Sequence, residues 1–316
     1  MAFQYCTSLT SVQLPEGMVH LGEYAFSSCT ALSEVTIPES VTDIPGKPFW
    51  NTPWMEARMA EETLVIINHV LIDGTNAQGD LVIPDDIAAI GTAAFAGDKA
   101  LTSVYVPDSV TSIGQDAFGE TGIREVRLPE GLTELAPYLF YHCDSLTSVD
   151  IPETVTFIGL QAFAFCGALR ELVIPAGVEQ ADPNAFHMCG VLDSIVFLNP
   201  DMVMDPYSTF LDNGQYKTEF LHENVIYGYT GSTAQAYAET FGNPFIALDT
   251  SAGDLDGSGT VDLLDVIHLN RSLLGVEELD AGKRILADVD GSGKTDASDS
   301  LLILRYTVSL VDHLGK

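Results

Sequence analysis

The stretch LFYHCDSLTSVDIPETVTFIG, residues 139–159, decides the fold, because close variants of it recur along most of the chain. The shared pattern is A-F-x-x-C-x-x-L-x-x-V-x-I-P-x-x-V-x-x-I-G. Its phenylalanines follow one another in steps of 23, 23, 46, 23, 22, 23 and 23 residues, at Phe3, Phe26, Phe49, Phe95, Phe118, Phe140, Phe163 and Phe186. Prolines keep the same register, at Pro15, Pro38, Pro84, Pro107, Pro129, Pro152 and Pro175. A fixed period of this length indicates a solenoid of stacked repeats.

Each repeat predicts one coil of the solenoid. The segment L-x-x-V-x-I places apolar side chains on one face of a short strand, and the proline that follows ends the ladder. The segment V-x-x-I-G-x-x-A-F returns the chain through a turn at the glycine. One coil cannot bury its own apolar face, so the coils stack about 4.8 Å apart and share a core. The residue between V and I is expected to face outward, at Gln13, Thr36, Val82, Tyr105, Arg127, Asp150, Val173 and Val196.

All five cysteines stand three residues after a marker phenylalanine, at Cys6, Cys29, Cys143, Cys166 and Cys189. Other coils hold Thr52, Asp98 and Thr121 in that place. Stacking therefore predicts an internal column of small, weakly polar side chains, with the cysteines as buried structural thiols. A disulfide or metal role is the alternative, but the number of cysteines is odd and no C-x-x-C pair occurs.

Two segments depart from the period. The 46-residue step contains TLVIINHVLIDG, which predicts a hairpin around Asn68–His69 within an insertion at about 50–80. Trp50 and Trp54 begin this insertion, and we expect them to pack the hairpin onto the solenoid, a ligand-stacking platform being the alternative. Residues of about 198–248 end as strand, turn, a helix starting near Ser232 or Thr233, and strand, which predicts a cap for the open core.

Residues 2–248 resemble the BspA-like leucine-rich-repeat family, including its irregular repeat (FWNTPW) and its closing unit (YGYTGSTAQAYA). The resemblance implies a leucine-rich-repeat solenoid domain over residues 1–248, β-rich, with 23-residue repeats of short strands, turns and short helices. It also implies a secreted or surface-displayed bacterial binding scaffold, and it implies no reaction.

After a linker at 249–253, two twelve-residue acidic segments stand 34 residues apart: DLDGSGTVDLLD at 254–265 and DVDGSGKTDASD at 288–299. Calcium prefers six to eight hard oxygens, supplied by a twelve-residue loop with glycine at its sixth place. Gly259 and Gly293 occupy that place. We therefore predict two Ca²⁺ ions rather than a merely solvated acidic loop. The predicted ligands are Asp254, Asp256, Ser258, the Thr260 carbonyl, Asp262 and Asp265, and Asp288, Asp290, Ser292, the Lys294 carbonyl, Asp296 and Asp299.

A helical run follows each loop, and residues 254–310 thereby resemble the type I dockerin family. The resemblance implies a small all-α domain at 254–316 with two loop–helix F-hand motifs. It implies binding to a cohesin module of a cellulosome-type scaffoldin. Carried over residue by residue, the cohesin contacts are Leu263, Leu264, Asn270 and Arg271 in the first copy and Ala297, Ser298, Leu304 and Arg305 in the second. Because Leu263–Leu264 is apolar and Ala297–Ser298 is not, we predict a single docking orientation.

The composition excludes several partners. A net charge of −32 disfavours nucleic acid and anionic membranes. No apolar run reaches the roughly 20 residues of a membrane span. The chain opens without a visible signal peptide, but its first repeat begins in mid-unit at Ala2–Phe3, so we expect a fragment of a secreted, extracellular or cell-surface protein attached to a cellulosome.

We find no catalytic motif and predict a non-catalytic protein whose dockerin attaches it and whose repeats recognise an unknown protein or glycan ligand. Tyr105, Arg127 and Asp150, outward residues of consecutive coils, are the candidate ligand-binding stripe. One alternative is a subunit with hydrolase activity in plant polysaccharide degradation, its active site in the array or in a missing module. Another is a free calcium-responsive regulator.

Overall fold

A computed structural model of the chain describes residues 2–182, 184–189, 191–204 and 224–314. In chain order its elements are β1 (Ser11–Gln13), β2 (Glu34–Thr36), α1 (Pro53–Glu61), β3 (Val65–Ile67), β4 (Val70–Asp73), β5 (Gly79–Val82), β6 (Ala89–Ile90), β7 (Leu101–Tyr105), β8 (Ser112–Ile113), β9 (Glu125–Arg127), β10 (Glu134–Leu135), β11 (Ser148–Asp150), β12 (Phe157–Ile158), β13 (Glu171–Ile174), β14 (Gln180–Ala181), β15 (Ser194–Phe197), β16 (Val203–Met204), β17 (Val225–Gly228), α2 (Thr233–Phe241), β18 (Phe245–Ala247), α3 (Leu263–Leu273), α4 (Ala281–Ala287) and α5 (Ala297–Thr307).

The predicted strand of each coil forms a parallel ladder. In its central part the order is β5-β7-β9-β11, and equivalent residues of successive repeats face each other, such as Val104 with Val126 and Val126 with Val149. Towards the C-terminus the order is β13-β15-β17-β18. The solenoid predicted from the 23-residue period is confirmed.

A second parallel ladder, which we did not expect, runs along the returning half of each coil. It has the orders β4-β6-β8 and β10-β12-β14-β16, and apart from β4 its strands are two residues long. Leu135, Ile158 and Ala181 stand in register within it, and all three are buried. The same apolar position of V-x-x-I therefore stacks from coil to coil, which brings the neighbouring backbones close enough to pair.

The marker phenylalanines form two stacks, one from Phe3 to Phe49 and one from Phe95 to Phe186, on either side of the insertion. Within each stack neighbouring rings lie 5.3–6.0 Å apart between centroids, with interplanar angles of 4–26°. Beside them, each buried cysteine donates its thiol to the carbonyl of a marker phenylalanine one coil earlier, as Cys166 does to Phe140 at 3.2 Å. The column of structural thiols is confirmed for four cysteines, whereas Cys6, in the first coil, is exposed.

The insertion is a coil of its own. Helix α1, which the sequence did not predict, begins after Thr52, whose hydroxyl accepts the amide of Met55 at 3.2 Å. The hairpin β3–β4 turns at Asn68 and His69, both with positive φ, as a two-residue hairpin turn requires. Strand β4 then pairs with β6, so the hairpin is part of the second ladder.

The C-terminal end of the solenoid is closed as predicted by strand, helix and strand, with Ser232 as the N-cap of α2. Part of the predicted cap, residues 205–223, lies outside the described residues. Helices α3 and α5 pack together, and the Ser300 hydroxyl donates to Asn270 at 2.9 Å. Helix α4, also not predicted, lies between them in sequence and packs on β13 and β15. Within the described part of the chain, no helix is long and apolar enough to cross a membrane.

One outward-facing residue of the strand face is covered. Val196 points away from the solenoid core, as expected, but it is fully buried in a cluster with Leu279, Ala281 and Leu286, because the helical domain packs over it. The 23-residue period determines which way a side chain points but contains no information about a separate domain packed onto that face.

Candidate calcium-binding and docking site

The first acidic loop folds around the carboxylate of Asp254. This carboxylate accepts the backbone amides of Gly257, Ser258 and Gly259 at 2.8–3.1 Å. Gly257 and Gly259 have φ of 75° and 82°, a left-handed conformation that side chains other than glycine rarely adopt. The glycines therefore allow the loop to curl over its own first carboxylate.

The end of the same loop returns to its beginning through Asp265, which is fully buried. One oxygen of Asp265 accepts the amide of Leu255 at 2.7 Å, and the other accepts that of Asp262 at 2.7 Å. As a result, carboxylate oxygens of Asp254, Asp256 and Asp265 all lie within 4.8 Å of one another. Burial raises the pKa of Asp265, while hydrogen bonds from Ser258 lower the pKa of Asp256.

The second loop repeats this arrangement. The carboxylates of Asp288, Asp290 and Asp299 converge within the same 4.8 Å limit, and Asp299 is fully buried. The amides of Ser292 and Gly293 donate to Asp288 at 2.9 and 3.0 Å. The two loops therefore form two separate clusters with the same arrangement, although their neighbours in the structure differ.

Hydroxyl and carbonyl oxygens lie next to each other in both loops. Ser258 donates its hydroxyl to the Thr260 carbonyl at 3.0 Å, and Ser292 does the same to Lys294 at 3.2 Å. These predicted ligands therefore lie side by side. Each cluster offers only hard oxygens and at least three carboxylates, which is the donor set that Ca²⁺ prefers. The residues present fit calcium, which would bind Asp254, Asp256 and Asp265 in one loop and Asp288, Asp290 and Asp299 in the other.

Two further predicted ligands, Asp262 and Asp296, lie at the starts of the helices that follow the loops. Asp262 is the N-cap of α3 and accepts the amide of Leu264, and Asp296 is the N-cap of α5 and accepts that of Ser298. Asp265 and Asp299 complete a capping box with them. Each helix start is thereby fixed directly to a carboxylate cluster, so order in the loop is transmitted to the first turn of the helix.

The predicted partner-binding positions on the two helices are unequal. On α3, Leu263 and Leu264 are 57% and 52% exposed. Ile267 and Leu274 extend this exposed apolar surface along the helix. On α5 the equivalent start is small and polar. Asn270, Arg271, Ala297, Ser298 and Arg305 are also exposed, whereas Leu304 is half-buried against the helical core.

The candidate ligand stripe is partly assembled on the solenoid. The Arg127 guanidinium lies over the ring of Tyr105, 4.9 Å from its centroid, and pairs with Asp108 at 2.7 Å. This pair raises the pKa of Arg127 and lowers that of Asp108. Asp150 stands opposite Arg127 on the next strand, exposed.

The strand face of the last coils is occupied by α4. Glu171 accepts the amide of Ala281 at 2.8 Å and pairs with Arg284, and Tyr227 donates its hydroxyl to Asp280 at 3.0 Å. The sequence offered no signal for this contact beyond the apolar residues of the segment. Beside it, a groove of about 860 Å³ separates the solenoid, including Asp150, from residues 293–296 of the second loop.

Comparison with family models is consistent with this division of the chain. Residues 1–78 and 66–193 match the model of the BspA type leucine rich repeat region, in six copies. Residues 252–307 match the model of the dockerin type I domain. Among curated proteins, no match to the chain was found.

Several bacterial leucine-rich-repeat structures are similar to the chain. A leucine rich cell surface protein from Faecalibacterium prausnitzii is 31% identical over 62% of this chain and 62% of that one, with a TM-score of 0.42. A leucine-rich repeat protein from Bacteroides ovatus is 23% identical over 64% and 52%, with a TM-score of 0.38. The T. pallidum leucine rich repeat protein is 28% identical over 53% and 68%, with a TM-score of 0.30. The chain spans less than two thirds of the length of the first two proteins.

Proposed function

The chain belongs to the BspA-type leucine-rich repeat family and carries a type I dockerin domain, and we therefore propose that it is a non-catalytic, extracellular component of a cellulosome-type assembly. In this proposal the dockerin at 254–316 holds two calcium ions and binds a scaffoldin cohesin in a calcium-dependent way. The repeats at 1–248 act as the recognition surface. The observation that carries the proposal is the pair of matching carboxylate clusters, each fixed to the first turn of a helix.

Calcium dependence follows from electrostatic repulsion within each cluster. Three carboxylates within 4.8 Å repel one another, and a divalent cation removes that repulsion. Because Asp265 and Asp299 belong both to the clusters and to the capping boxes, ion binding is expected to order α3 and α5 as well as the loops.

A single docking orientation is supported by two differences between the copies. Leu263 and Leu264 present exposed apolar area whose burial by a partner would favour binding, and Ala297 and Ser298 present much less. In addition, the loop just before Ala297 faces the solenoid across the groove, so a cohesin at the second copy would approach the repeats closely. We propose that α3 makes the principal cohesin contact.

The recognition role of the repeats rests on the strand face of β5-β7-β9-β11 and on the stripe of Tyr105, Arg127 and Asp150, for which a protein or a glycan is the proposed ligand. The competing function is a hydrolase subunit. An assay of the chain on plant polysaccharides and peptides separates the two, because reproducible turnover would contradict the non-catalytic role.

The central experiment is calorimetric titration of the calcium-free chain with Ca²⁺, and then of the loaded chain with a panel of type I cohesins. We expect two ions per chain, and one each for the Asp265→Asn and Asp299→Asn variants, because each variant removes a buried carboxylate from one cluster. Cohesin binding is expected to disappear when Ca²⁺ is chelated.

A pair of matched variants tests the orientation. Leu263→Asp combined with Leu264→Asp is expected to weaken cohesin binding by at least about a hundredfold, because it places charge in an apolar contact, while two ions still bind. The control, Ala297→Asp combined with Ser298→Asp, is expected to change the affinity by less than about threefold. Equal losses in both variants would contradict the single orientation, and binding that survives both would contradict the proposed interface.

A further inference from the structure

A cavity of about 360 Å³ lies beside the irregular coil, between α1 and strand β4. Its floor is apolar and consists of Phe49, Met55 and Ile72, all buried. A volume of this size is at the lower end of the range for pockets that bind small molecules or single side chains. The cavity is separate from the calcium clusters and from the stripe of Tyr105, Arg127 and Asp150.

The wall of the cavity contains a buried carboxylate that is only half paired. Asp73 is 8% exposed, and its Oδ1 accepts both the amide of Thr75 at 3.1 Å and the Thr75 hydroxyl at 2.7 Å. Its Oδ2 accepts no hydrogen bond from the described residues, and it stays accessible to solvent, unlike the sealed Oδ2 of Asp98. A carboxylate oxygen that is accessible and has no protein donor can accept a hydrogen bond from a ligand, most strongly from a cationic one.

The mouth of the cavity carries an aromatic ring that the fold does not use. Trp54 packs on Phe49 with ring centroids 4.7 Å apart, and the guanidinium of Arg58 lies over the Trp54 ring, 5.3 Å from its centroid. Trp50, in contrast, is 55% exposed and lines the cavity. The two tryptophans of the chain thus have different roles: Trp54 packs the insertion onto the solenoid, as expected, and Trp50 is free to stack on a ligand.

The charge of the cavity is net negative. Asp73 and Glu56 line it, against the single cation Lys47. Lys47 also lies near Asp116. Burial raises the pKa of Asp116, and the positive charge of Lys47 opposes part of that rise. A ligand cation would therefore enter a negative site on a chain whose net charge is −32.

We propose that this cavity binds the side chain of an arginine displayed on a protein partner. The methylene stem of arginine fits the apolar floor, its planar guanidinium stacks on an indole ring, and its fork of N–H groups pairs with carboxylates such as Asp73 and Glu56. Lysine carries the positive charge but has no planar group to stack on the indole ring, and a sugar offers hydroxyl donors but carries no charge. The proposal rests on the recognition role proposed for the repeats, and it does not depend on calcium or on cohesin binding.

The experiment uses the full chain with ¹⁵N-labelled tryptophan, in which the two tryptophans give two indole N–H signals. The probe is a capped Gly-Arg-Gly peptide, compared with the same peptide carrying citrulline or lysine, and with cellobiose. We expect the arginine peptide to shift the Trp50 signal saturably with a millimolar dissociation constant, and citrulline, which has the same shape without charge, to bind at least about tenfold more weakly.

Variants separate the site from the fold. Asp73→Asn is expected to weaken arginine binding at least about tenfold, and the control Asp85→Asn, at an exposed position, is expected to leave it unchanged. If Asp73→Asn does not fold, Glu56→Gln, at an exposed position that also lines the cavity, provides the same test. Equal binding of arginine and citrulline, tighter binding of cellobiose, or no shift of the Trp50 signal would overturn the proposal. Cohesin affinity measured on the same sample shows independently whether the dockerin role holds.

Discussion

The ring of Tyr227, in the last coils of the solenoid, lies directly against the α-carbon of Gly282 in α4. Any side chain at position 282 would overlap that ring. Burial and the neighbouring Asp280 carboxylate raise the pKa of Tyr227 far above its ordinary value, so its hydroxyl stays a donor to Asp280. Gly282 is therefore a position at which the helical domain and the solenoid approach too closely for any other residue.

The first prediction follows from this contact. Gly282→Leu should separate the helical domain from the solenoid while leaving α4 intact, because leucine is a better helix former than glycine by about 0.5–1 kcal/mol. Small-angle X-ray scattering is expected to give a larger radius of gyration, and proteases are expected to cut the 249–253 segment faster.

The matched control for this variant is Gly131→Leu, because position 131 has open space where the added side chain would go. It should leave both measurements unchanged. An unchanged radius of gyration in Gly282→Leu would show that the contact between Tyr227 and α4 does not hold the two domains together.

The second prediction concerns the thiol column. Burial raises the pKa of Cys143 and of Cys189 to about 11, and that of Cys166 well above its usual 9.0. Since the thiolate is the reactive form, these thiols are doubly protected by burial and by protonation. Ellman's reagent at neutral pH should therefore titrate Cys6 alone in the folded chain, and all five cysteines in denaturant.

Cys6→Ser supplies the control for thiol titration, and its folded form should show no rapidly reacting thiol. Two or more fast thiols in the parent chain would contradict the buried column, as would a disulfide between cysteines of neighbouring coils.

The third prediction is that Asp98→Thr stabilises the protein. Asp98 occupies the same column, its Oδ1 accepts the Ala100 amide at 2.9 Å, and its buried Oδ2 has no partner. In the equivalent places Thr52 and Thr121 donate to the phenylalanine carbonyl three residues earlier, at 2.7 and 2.8 Å. Replacing a half-paired carboxylate by this arrangement should raise the free energy of unfolding by about 1 kcal/mol at neutral pH, measured by urea denaturation.

The gain from Asp98→Thr should depend on pH. Burial raises the pKa of Asp98 above its ordinary 3.8 in the folded state, so the folded chain binds this proton more tightly than the unfolded chain. Stability of the parent chain is then lost as pH rises through the window that begins near 3.8, and the variant avoids that loss. The difference between variant and parent should therefore shrink at about pH 3. The exposed control Asp85→Thr should change stability by less than about 0.5 kcal/mol at either pH. A gain that does not depend on pH would contradict the assigned cause.

The sequence predicted those features that repeat. The strand positions, the thiol column and the turn at Asn68–His69 follow from period, alternation and turn chemistry, all of which are local. The carboxylate clusters were also predictable, because the twelve-residue loop determines the spacing of its own ligands. The capping role of Asp262 and Asp296 was within reach for the same reason, since both stand three residues before another aspartate at the start of a helical run.

Features that depend on contacts between distant segments could not be predicted. Nothing in the repeat pattern indicates that α4 covers Val196, or that Glu171 pairs with Arg284, because these residues are far apart in sequence and belong to different domains. The burial of the half-paired Asp73 could not be predicted either, because it results from the packing of α1 against the hairpin. A position in the sequence gives the chemistry of a side chain, but its partners depend on tertiary packing.

The fourth prediction links the second calcium loop to the contact on the solenoid. Asp288 begins that loop and is also the C-cap of α4, where its amide donates to the Arg284 carbonyl at 3.1 Å. Thr295, in the same loop, donates its hydroxyl to the same carbonyl at 3.1 Å. Since Arg284 pairs with Glu171, the loop, α4 and the solenoid form one connected series of contacts.

Loss of the ion at the second loop should therefore loosen α4 on the solenoid. We expect Asp299→Asn to increase hydrogen exchange of residues 281–287 by at least about tenfold in saturating Ca²⁺, because local opening is the step that exposes these amides. Asp265→Asn removes the equivalent carboxylate of the first loop and is the matched control, for which a smaller increase is expected. If both variants raise exchange equally, the second loop has no special connection to α4.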